Sequence, residues 1–493
     1  MANRGALAGL SGRDALVLTL DVGTSSVRTL LFDAGGRAVP GSETKLEYQP
    51  HIDSDGAAEV DPGRLERLVH RAIGSTLAQA GRVEVAAVGV STFWHGMIGL
   101  DDRDRPATPL VLWSDTRSWR QAERLRGRLD AEAVRRRTGC PIHPSYWPAK
   151  LAWLRERSPE DWRRTARWVS FGDLLFLRLF GELATSASMA SGTGLRRLTG
   201  GWDGELLEVL DVGERQLPEE AGELRGLRPG PRRRWPQLAN AVWLCAAGDG
   251  ALANLGSGCV DPTQRALTIG TSGALRTITG ELPERLAPGL WCYLLGPGRF
   301  VVGGSLSNGG NLYAWLLRTL RVEDGLEGRL RRMRPAAGGL TFLPLLAGER
   351  SLGFAPRATG AIAGLTQATT ADDIVHAGLE AVALTFAGVD QALDETVPGA
   401  RRLVASGAGL LSSPAWVQMM ADAIGKPVAV SRSAMEASSV GAAALALQRL
   451  GIRRRTTTGA GRNVEPRVEV RERYSQARRR QEWLYTTLIQ GSS

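Results

Sequence analysis

The sequence predicts an α/β protein built as two related halves, and three observations predict it. The phrase "LTLDVGTSSVRTLLF" at 18–32 returns half a chain later as "LTIGTSGALRTIT" at 267–279. Around both copies, apolar runs of strand length alternate with amphipathic runs of helix length, the order of a mixed α/β layer. The chain has 493 residues, more than one core ordinarily serves, so two domains, or three, are expected.

Taken in order, "ALVLTLDVG" and "SVRTLLFDAGG" read as a hairpin with Gly-Thr-Ser at its tip and a Gly-Gly turn closing its second strand. Residues 64–81, "RLERLVHRAIGSTLAQAG", have the apolar spacing of a helix, and 83–93, "VEVAAVGVSTF", read as a third, buried strand. In the second half "RALTIGTSGALRTITG" repeats the hairpin, and "RFVVGGSLSNGGNLYAWLLRTL" runs from a strand through glycines into a helix. The stretch "TTADDIVHAGLEAVALTFAGVDQAL" predicts a long amphipathic helix with Thr370 and Asp373 in capping positions. "RRLVASGAG" reads as a strand entering a glycine loop; Ser413 and Pro414 then start a helix that Gly425 closes. The Pro/Arg-rich stretch 225–237 is expected to be a surface loop. The second hairpin begins soon after 258–262, so the expected domains are 14–258 and 262–488.

The net charge of +10 comes almost wholly from arginine, with Lys45, Lys150 and Lys426 the only lysines. The clusters at 135–137, 232–234, 453–455 and 478–480 are not interleaved with aromatics as in a nucleic-acid module, so solvated faces are expected. Cys140, Cys245, Cys259 and Cys292 have neither CxxC spacing nor a metal-ligand partner set, which fits reduced thiols. No run of some 20 apolar residues occurs, and the first 18 residues lack the pattern of a signal peptide. A cytoplasmic protein with a short flexible leader before Asp14 is expected, without nucleic-acid or membrane partners; a homodimer stays open.

A Gly-Thr-Ser tip offers backbone N–H groups without side-chain bulk, plus two hydroxyls, which suits phosphate oxygens. One such turn says little, but two at corresponding places mark a duplicated nucleotide-binding fold able to grip a polyphosphate from both sides. Asp21 precedes the first Gly-Thr, whereas Thr268 stands at the matching place in the second. Only the first tip brings a carboxylate, as a Mg²⁺-phosphate complex needs from one side.

From Asp14 to about Leu488 the chain resembles the FGGY carbohydrate kinases. The matching stretches are "LDVGTSSVRTLLFD", "WSDTRS", "GDLLFLRLFGE", "SASMASGTGL", "GDGALANLGSG", "IGTSGALR", "FLPLLAGERS", "GAIAGL", "WVQMMADAIGKPV" and "SSVGAAALAL". Within that family "TGCPIHPSYWPAKLAWL", the Gly-Asp-Gly at Asp249 and "IGTSGALR" look most like the gluconate kinases. The resemblance implies a duplicated ribonuclease-H-like fold of actin/hexokinase type with a central cleft. It also implies ATP and Mg²⁺, and phosphorylation of a sugar or sugar acid, first of all D-gluconate to 6-phosphogluconate.

Carried over by residue, the resemblance makes Asp249 the general base, where the residues alone leave open an Asp that ends a turn. Thr24, Ser25, Arg28, Gly270, Thr271 and Ser272 would hold phosphates, Asp21 and Asp249 would lie near the metal, and Gly310 with the Gly407–Ala408–Gly409 loop would floor the nucleotide. The chain departs from its relatives at "GLLSSPAW", where they carry an Arg-Ser pair, so the adenine contacts there stay open. Trp94 and His95 would give the sugar an apolar face and a hydrogen-bonding tip. Lys150 would pair a substrate carboxylate, or else be a solvated helix lysine. Trp113, Asp115 and Arg117 are expected to brace the site. A kinase for another sugar or polyol such as xylulose remains an alternative, as does a non-catalytic binder of sugar or ATP. Loss of the base would mark the latter, and Asp249 is present.

Overall fold

The computed structural model describes residues 15–81, 83–336, 339–430, 436–452 and 462–491. The chain divides into two compact units, 1–256 with 293–300 and 436–456, and the remainder from 257. The expected leader and Arg453–Arg455 lie outside the described residues.

The first unit is built on a seven-stranded sheet. Its central strand, Leu16–Val22, pairs antiparallel with Ser26–Phe32 and parallel with Val85–Thr92. Val242–Leu244 and Ala247–Gly248 both pair parallel with Val85–Thr92 on its other side. All eight residues of Val85–Thr92 are buried, because helices cover both faces of the sheet. Helix Pro62–Ala80, capped by Asp61 with Pro62 in its first turn, lies against Ser26–Phe32. Thr29 fixes that contact: its hydroxyl lies 3.0 Å from the Ala72 carbonyl and 2.7 Å from the Thr76 hydroxyl. Helix Ala437–Arg449 packs on Leu16–Val22 and Val85–Thr92, its small residues allowing close approach. That late segment therefore rejoins the first unit, a long-range return outside the expected range 14–258.

A second seven-stranded sheet runs in the order Trp291–Gly296, Arg299–Leu306, Gly273–Thr279, Gln264–Ile269, Arg402–Ser406, Val428–Val430, Asn463–Val464. Gln264–Ile269 is antiparallel to Gly273–Thr279 and parallel to Arg402–Ser406, so the central three strands repeat those of the first unit. Helix Ala371–Thr396 starts with the expected capping box of Thr370 and Asp373 and packs on Pro414–Ile424, which Ser413 caps and Gly425 ends. The wholly buried Arg265 ties the first strand to that long helix through Asp390 and Asp394, which Lys426 also contacts.

Three expectations are corrected. Residues 225–237 are not simply a surface loop: Pro229–Arg234 forms a short helix, Pro236–Leu238 a 3₁₀ turn, and Trp235 between them is 2 % exposed. An indole provides enough apolar area to pin an otherwise polar stretch to the body. The Gly407–Ala408–Gly409 loop is the start of a short helix, Ala408–Leu411. Arg135 and Arg137 are not solvated, since Arg135 is buried against Glu132 and Arg137 bonds Asp203 at 2.7 Å. The four cysteines are buried, and burial pushes the thiols of Cys245, Cys259 and Cys292 up to about 12. No helix among the described residues is long and apolar enough to cross a membrane.

Candidate active site

The first hairpin sets two carboxylates near one another. Asp21 sits opposite Arg28 in the hairpin and beside Ser91 in the parallel neighbour. On the other side of that neighbour Ala247 and Gly248 pair with Ser91 and Thr92, so the chain leaves the sheet at Asp249 and turns at once into helix Asp249–Gly256. Burial lifts the Asp21 carboxyl from 3.8 to about 6; the Asp249 charge adds to the rise, while the Ser91 hydroxyl and Arg28 oppose it. Asp249 is half-buried, and its carboxylate accepts from the Gly250 N–H at 2.7 Å. Gly248 has a packing reason to be glycine, because a Cβ there would lie 1.9 Å from Trp94 Cε2.

At the tip, the Gly23 N–H donates to the Ser26 carbonyl at 2.9 Å, and the Tyr48 hydroxyl donates to the Gly23 carbonyl at 2.6 Å. Thr24 accepts from the Trp113 indole at 3.2 Å, and Ser25 is exposed. Arg28 is paired with Glu43 at 3.1 Å. Asp115 is buried, accepts the Ala58 N–H and pairs with Arg117, whose guanidinium also reaches Glu59 and covers the Trp153 ring at 4.3 Å. The "WSDTR" stretch thus props the tip and the strand Ala58–Val60.

The sugar-side residues form an aromatic cluster within the first unit. Trp94 donates its indole N–H to the Ser188 carbonyl at 3.0 Å and stands edge-on to Tyr293, ring centres 4.9 Å apart. His95 is buried with φ 67°, a left-handed backbone that costs a residue other than glycine, and its Nδ1 meets the Gly192 carbonyl. Tyr146 packs against the His95 ring at 4.7 Å, and its hydroxyl lies 2.6 Å from that of Tyr293. Lys150, on helix Trp147–Arg157, is fully buried and donates to the His95 carbonyl at 2.8 Å. This excludes the solvated-helix reading of Lys150. Tyr146 and Tyr293 were not singled out from sequence. Tyr146 lies in the "PSYWPAK" stretch that flagged Lys150, whereas nothing in "WCYLLG" marks Tyr293.

In the second unit the matching tip is held by backbone. The N–H groups of Gly310 and Asn311, at the start of helix Gly310–Thr319, donate to the carbonyls of Gly270 and Thr271 at 2.9 and 3.0 Å. A Cβ on Gly310 would lie 2.3 Å from the Gly270 oxygen, and one on Gly407 2.4 Å from the Ile269 oxygen, with φ 92° at Gly407 adding a second need for glycine. Beside this mesh is a cavity of about 720 Å³ lined by Gly270, Thr271, Gly310, Ala408 and Gly409. Asn311, Trp315, Arg318 and Leu346 also line it and were missed, since a Trp on a helix reads as core without knowledge of what opens beside it. At "GLLSSPAW" Ser413 caps its own helix and bonds Glu327, while Leu410 is buried.

These parts fit the implied groups. Two mutually repelling carboxylates next to a phosphate-type tip suit a magnesium ion that draws its remaining ligands from phosphate and water. Among the described residues no cluster of three or more His, Cys, Asp or Glu would hold a metal by itself. The cavity of the second unit has the volume and glycine floor for a nucleotide.

Residues 16–256 match the model of the N-terminal domain of the FGGY family of carbohydrate kinases, and residues 266–449 that of its C-terminal domain. The chain is 29% identical over 456 residues to a gluconokinase of Bacillus subtilis, covering 88% of each. It is 33% identical over 473 residues to a xylulose kinase of Streptomyces rubiginosus, covering 91% of this chain and 92% of that one. Among solved structures, a gluconate kinase from Lactobacillus acidophilus superimposes with a TM-score of 0.89 at 26% identity, over 96% of this chain and 98% of that chain.

Proposed function

We propose that this chain, which belongs to the FGGY family of carbohydrate kinases and is an ATP-dependent sugar kinase, phosphorylates D-gluconate in the cytoplasm with Asp249 as its general base. The observation that carries the substrate choice is Lys150, a wholly buried lysine hydrogen-bonded to the carbonyl of His95 within the aromatic cluster. An ammonium placed there favours an acidic sugar over a neutral one, because a carboxylate stripped of water must find a positive partner.

In this reading Trp94, His95 and Tyr146 orient the sugar, and Asp249 accepts the proton of the attacking hydroxyl. The new O–P bond forms as the bond to the β-phosphate oxygen breaks, and ADP leaves. Magnesium, held by Asp21 and Asp249, would neutralise phosphate charge. Thr24, Ser25 and Arg28 would hold the transferred phosphoryl group, and Gly270, Thr271, Ser272, Gly310, Gly407 and Ala408 the rest of the nucleotide. Arg28 stands opposite Asp21, so its guanidinium tempers the carboxylate as well as facing phosphate.

A second reading, a xylulose kinase, is favoured by the 33% identity to the Streptomyces rubiginosus enzyme. An ADP-release assay over gluconate, xylulose, ribulose and glycerol separates them: turnover with gluconate alone is expected, and turnover with xylulose alone overturns the choice. Lys150→Met is expected to raise the gluconate KM roughly 10- to 150-fold relative to any neutral substrate accepted. Equal weakening for charged and neutral substrates would limit Lys150 to supporting His95.

A further inference from the structure

The residues that match the family end at 449, yet the chain goes on into helix Arg471–Tyr485, whose last residue reaches back to the nucleotide side of the second unit. In the stretch "FLPLLAGERS", Leu346 and Ala347 line the cavity of about 720 Å³. Two buried side chains hold the segment that follows. Asn308 accepts the Ala347 N–H at 3.0 Å and donates to the Gly348 carbonyl at 3.1 Å. Glu349 accepts the N–H groups of Leu352 at 3.0 Å and of Ala355 at 3.4 Å, which bracket Phe354. Phe354 has φ 52°, a left-handed backbone that a phenylalanine keeps only where its surroundings impose it. A buried carboxylate needs donors around it, and the Tyr485 hydroxyl is another, at 2.6 Å. Burial, then the Glu349 charge, raises the Tyr485 pKa, so the phenol keeps its proton and donates. One turn earlier Gln481 donates to the carbonyls of Phe342 at 3.0 Å and Ala381 at 3.1 Å, which fixes the helix to strand Thr341–Leu343 and to the long helix. Leu484 packs with Leu343, Leu345 and Ala358, from both ends of the same segment.

We propose that Tyr485 is a positioning residue for the nucleotide, acting through Glu349 on the cavity wall at Leu346 and Ala347. The inference rests on the reading of this cavity as the nucleotide site. The turn at Phe354 gains by relaxing, and the Glu349 carboxylate opposes that by holding the N–H groups on either side of it. Without the phenol the same carboxylate is buried with one donor fewer. That favours a turn of the chain toward water, which draws residues 346–356 off the cavity. A nucleotide that needs the held form then binds in proportion to the fraction of molecules that keep it. The effect falls on nucleotide affinity rather than on proton transfer, because Asp249 and its strand belong to the other unit.

The test compares Tyr485→Phe with wild type in the full chain, by steady-state kinetics and by hydrogen exchange of the segment 346–356. The variant is expected to raise the ATP KM about 2- to 30-fold, the range of couplings carried by residues that touch no ligand, with kcat and the sugar KM as in wild type. Without nucleotide, the amides of Leu352 and Ala355 are expected to exchange faster in the variant. Gly353→Ala disturbs the same pair from the loop, since its new carbon would lie 1.9 Å from the Tyr485 hydroxyl, and it should raise the ATP KM likewise. It takes the place of Tyr485→Phe should that chain not fold. An unchanged ATP KM, or equal weakening of ATP and sugar, overturns the role, because a helix that only stabilises the fold would lower the melting temperature and leave the ratio of the two KM values alone. Faster exchange at an unchanged ATP KM overturns the link from loop to nucleotide. Gly310→Ala separates the inference from the reading beneath it. If Gly310→Ala raises the ATP KM and Tyr485→Phe does not, Tyr485 alone loses its role; if neither does, the cavity is not the nucleotide site and the inference falls with it.

Discussion

The two hairpins spell almost the same words and are equipped differently. In the first, Asp21 faces Arg28 across the strands, and the four residues 23–26 span the tip between Val22 and Val27. In the second, Thr268 faces Ala274, and only three residues separate Ile269 from Gly273. The first tip has a carboxylate beside it, and a methyl group on Gly23 would meet only ordinary contact. The second carries Thr268 in place of the carboxylate, its hydroxyl 2.9 Å from Arg276; the amides of Gly310 and Asn311 are bonded to its carbonyls, and glycines approach so closely that a methyl group would collide. A duplicated fold can thus divide phosphate chemistry between its copies, one contributing a carboxylate and the other a rigid backbone.

The contrast is broken most forcefully at the charged copy. Asp249→Asn is expected to lower turnover roughly 10²- to 10⁴-fold, the usual share of a positioned base. The substitution keeps shape and the acceptor to Gly250, so thermal melting and ATP binding should stay near wild type. A variant retaining more than half the turnover removes Asp249 from the role.

Asp21 sharpens the same point through pH. Its carboxyl titrates near 6 in the folded chain against 3.8 ordinarily, so between those values the native state holds a proton that the unfolded state has lost. By linkage this contribution weakens the fold as pH rises from about 4 to 6, and the cost persists above that. Asp21→Asn is therefore expected to stabilise the metal-free protein by about 1–3 kcal/mol at neutral pH, the gain fading toward pH 4. Magnesium should raise the melting temperature of wild type and leave the variant unmoved, while the variant loses activity. A variant that melts like wild type across this range would mean that the carboxyl carries no such strain.

How much of this was legible depends on the range of the interaction. Capping of the long helix by Thr370 and Asp373, and of Pro414–Ile424 by Ser413 and Gly425, is local chemistry, and the residues announced it. The two Gly-Thr-Ser tips were legible because repetition is visible in a string. The return of Ala437–Arg449 to the first unit was not, since an Ala-rich helix carries no address for the sheet that its small residues fit. Nor was the bond from Lys150 to the His95 carbonyl, which joins positions 55 residues apart and depends on a left-handed backbone at His95. The anchoring by Trp235 is not legible locally, because the prolines and arginines around it have the composition of a solvated loop and burial of one indole depends on distant neighbours. At "GDG" the first glycine became intelligible only with Trp94 lying against it.

The smallest expected effect tests the backbone half of the comparison, by adding one methyl group to each copy. At Gly310 the new carbon would meet the Gly270 oxygen at 2.3 Å, which backbone on both sides cannot relieve without shifting the tip. Gly310→Ala should cost about 1–3 kcal/mol and raise the KM for ATP, even though alanine favours a helix over glycine by up to about 1 kcal/mol. At Gly23 the nearest atom to such a carbon is the Ser26 oxygen at 3.6 Å, an ordinary contact. Gly23→Ala is therefore expected to stay within about 0.5 kcal/mol of wild type in chemical denaturation and to keep its ATP KM. If both variants suffer alike, the first tip is as tightly confined in solution as the second. If neither suffers, the glycine mesh of the second copy yields easily, and the division between a charged tip and a rigid one rests on Asp21 and Arg28 alone.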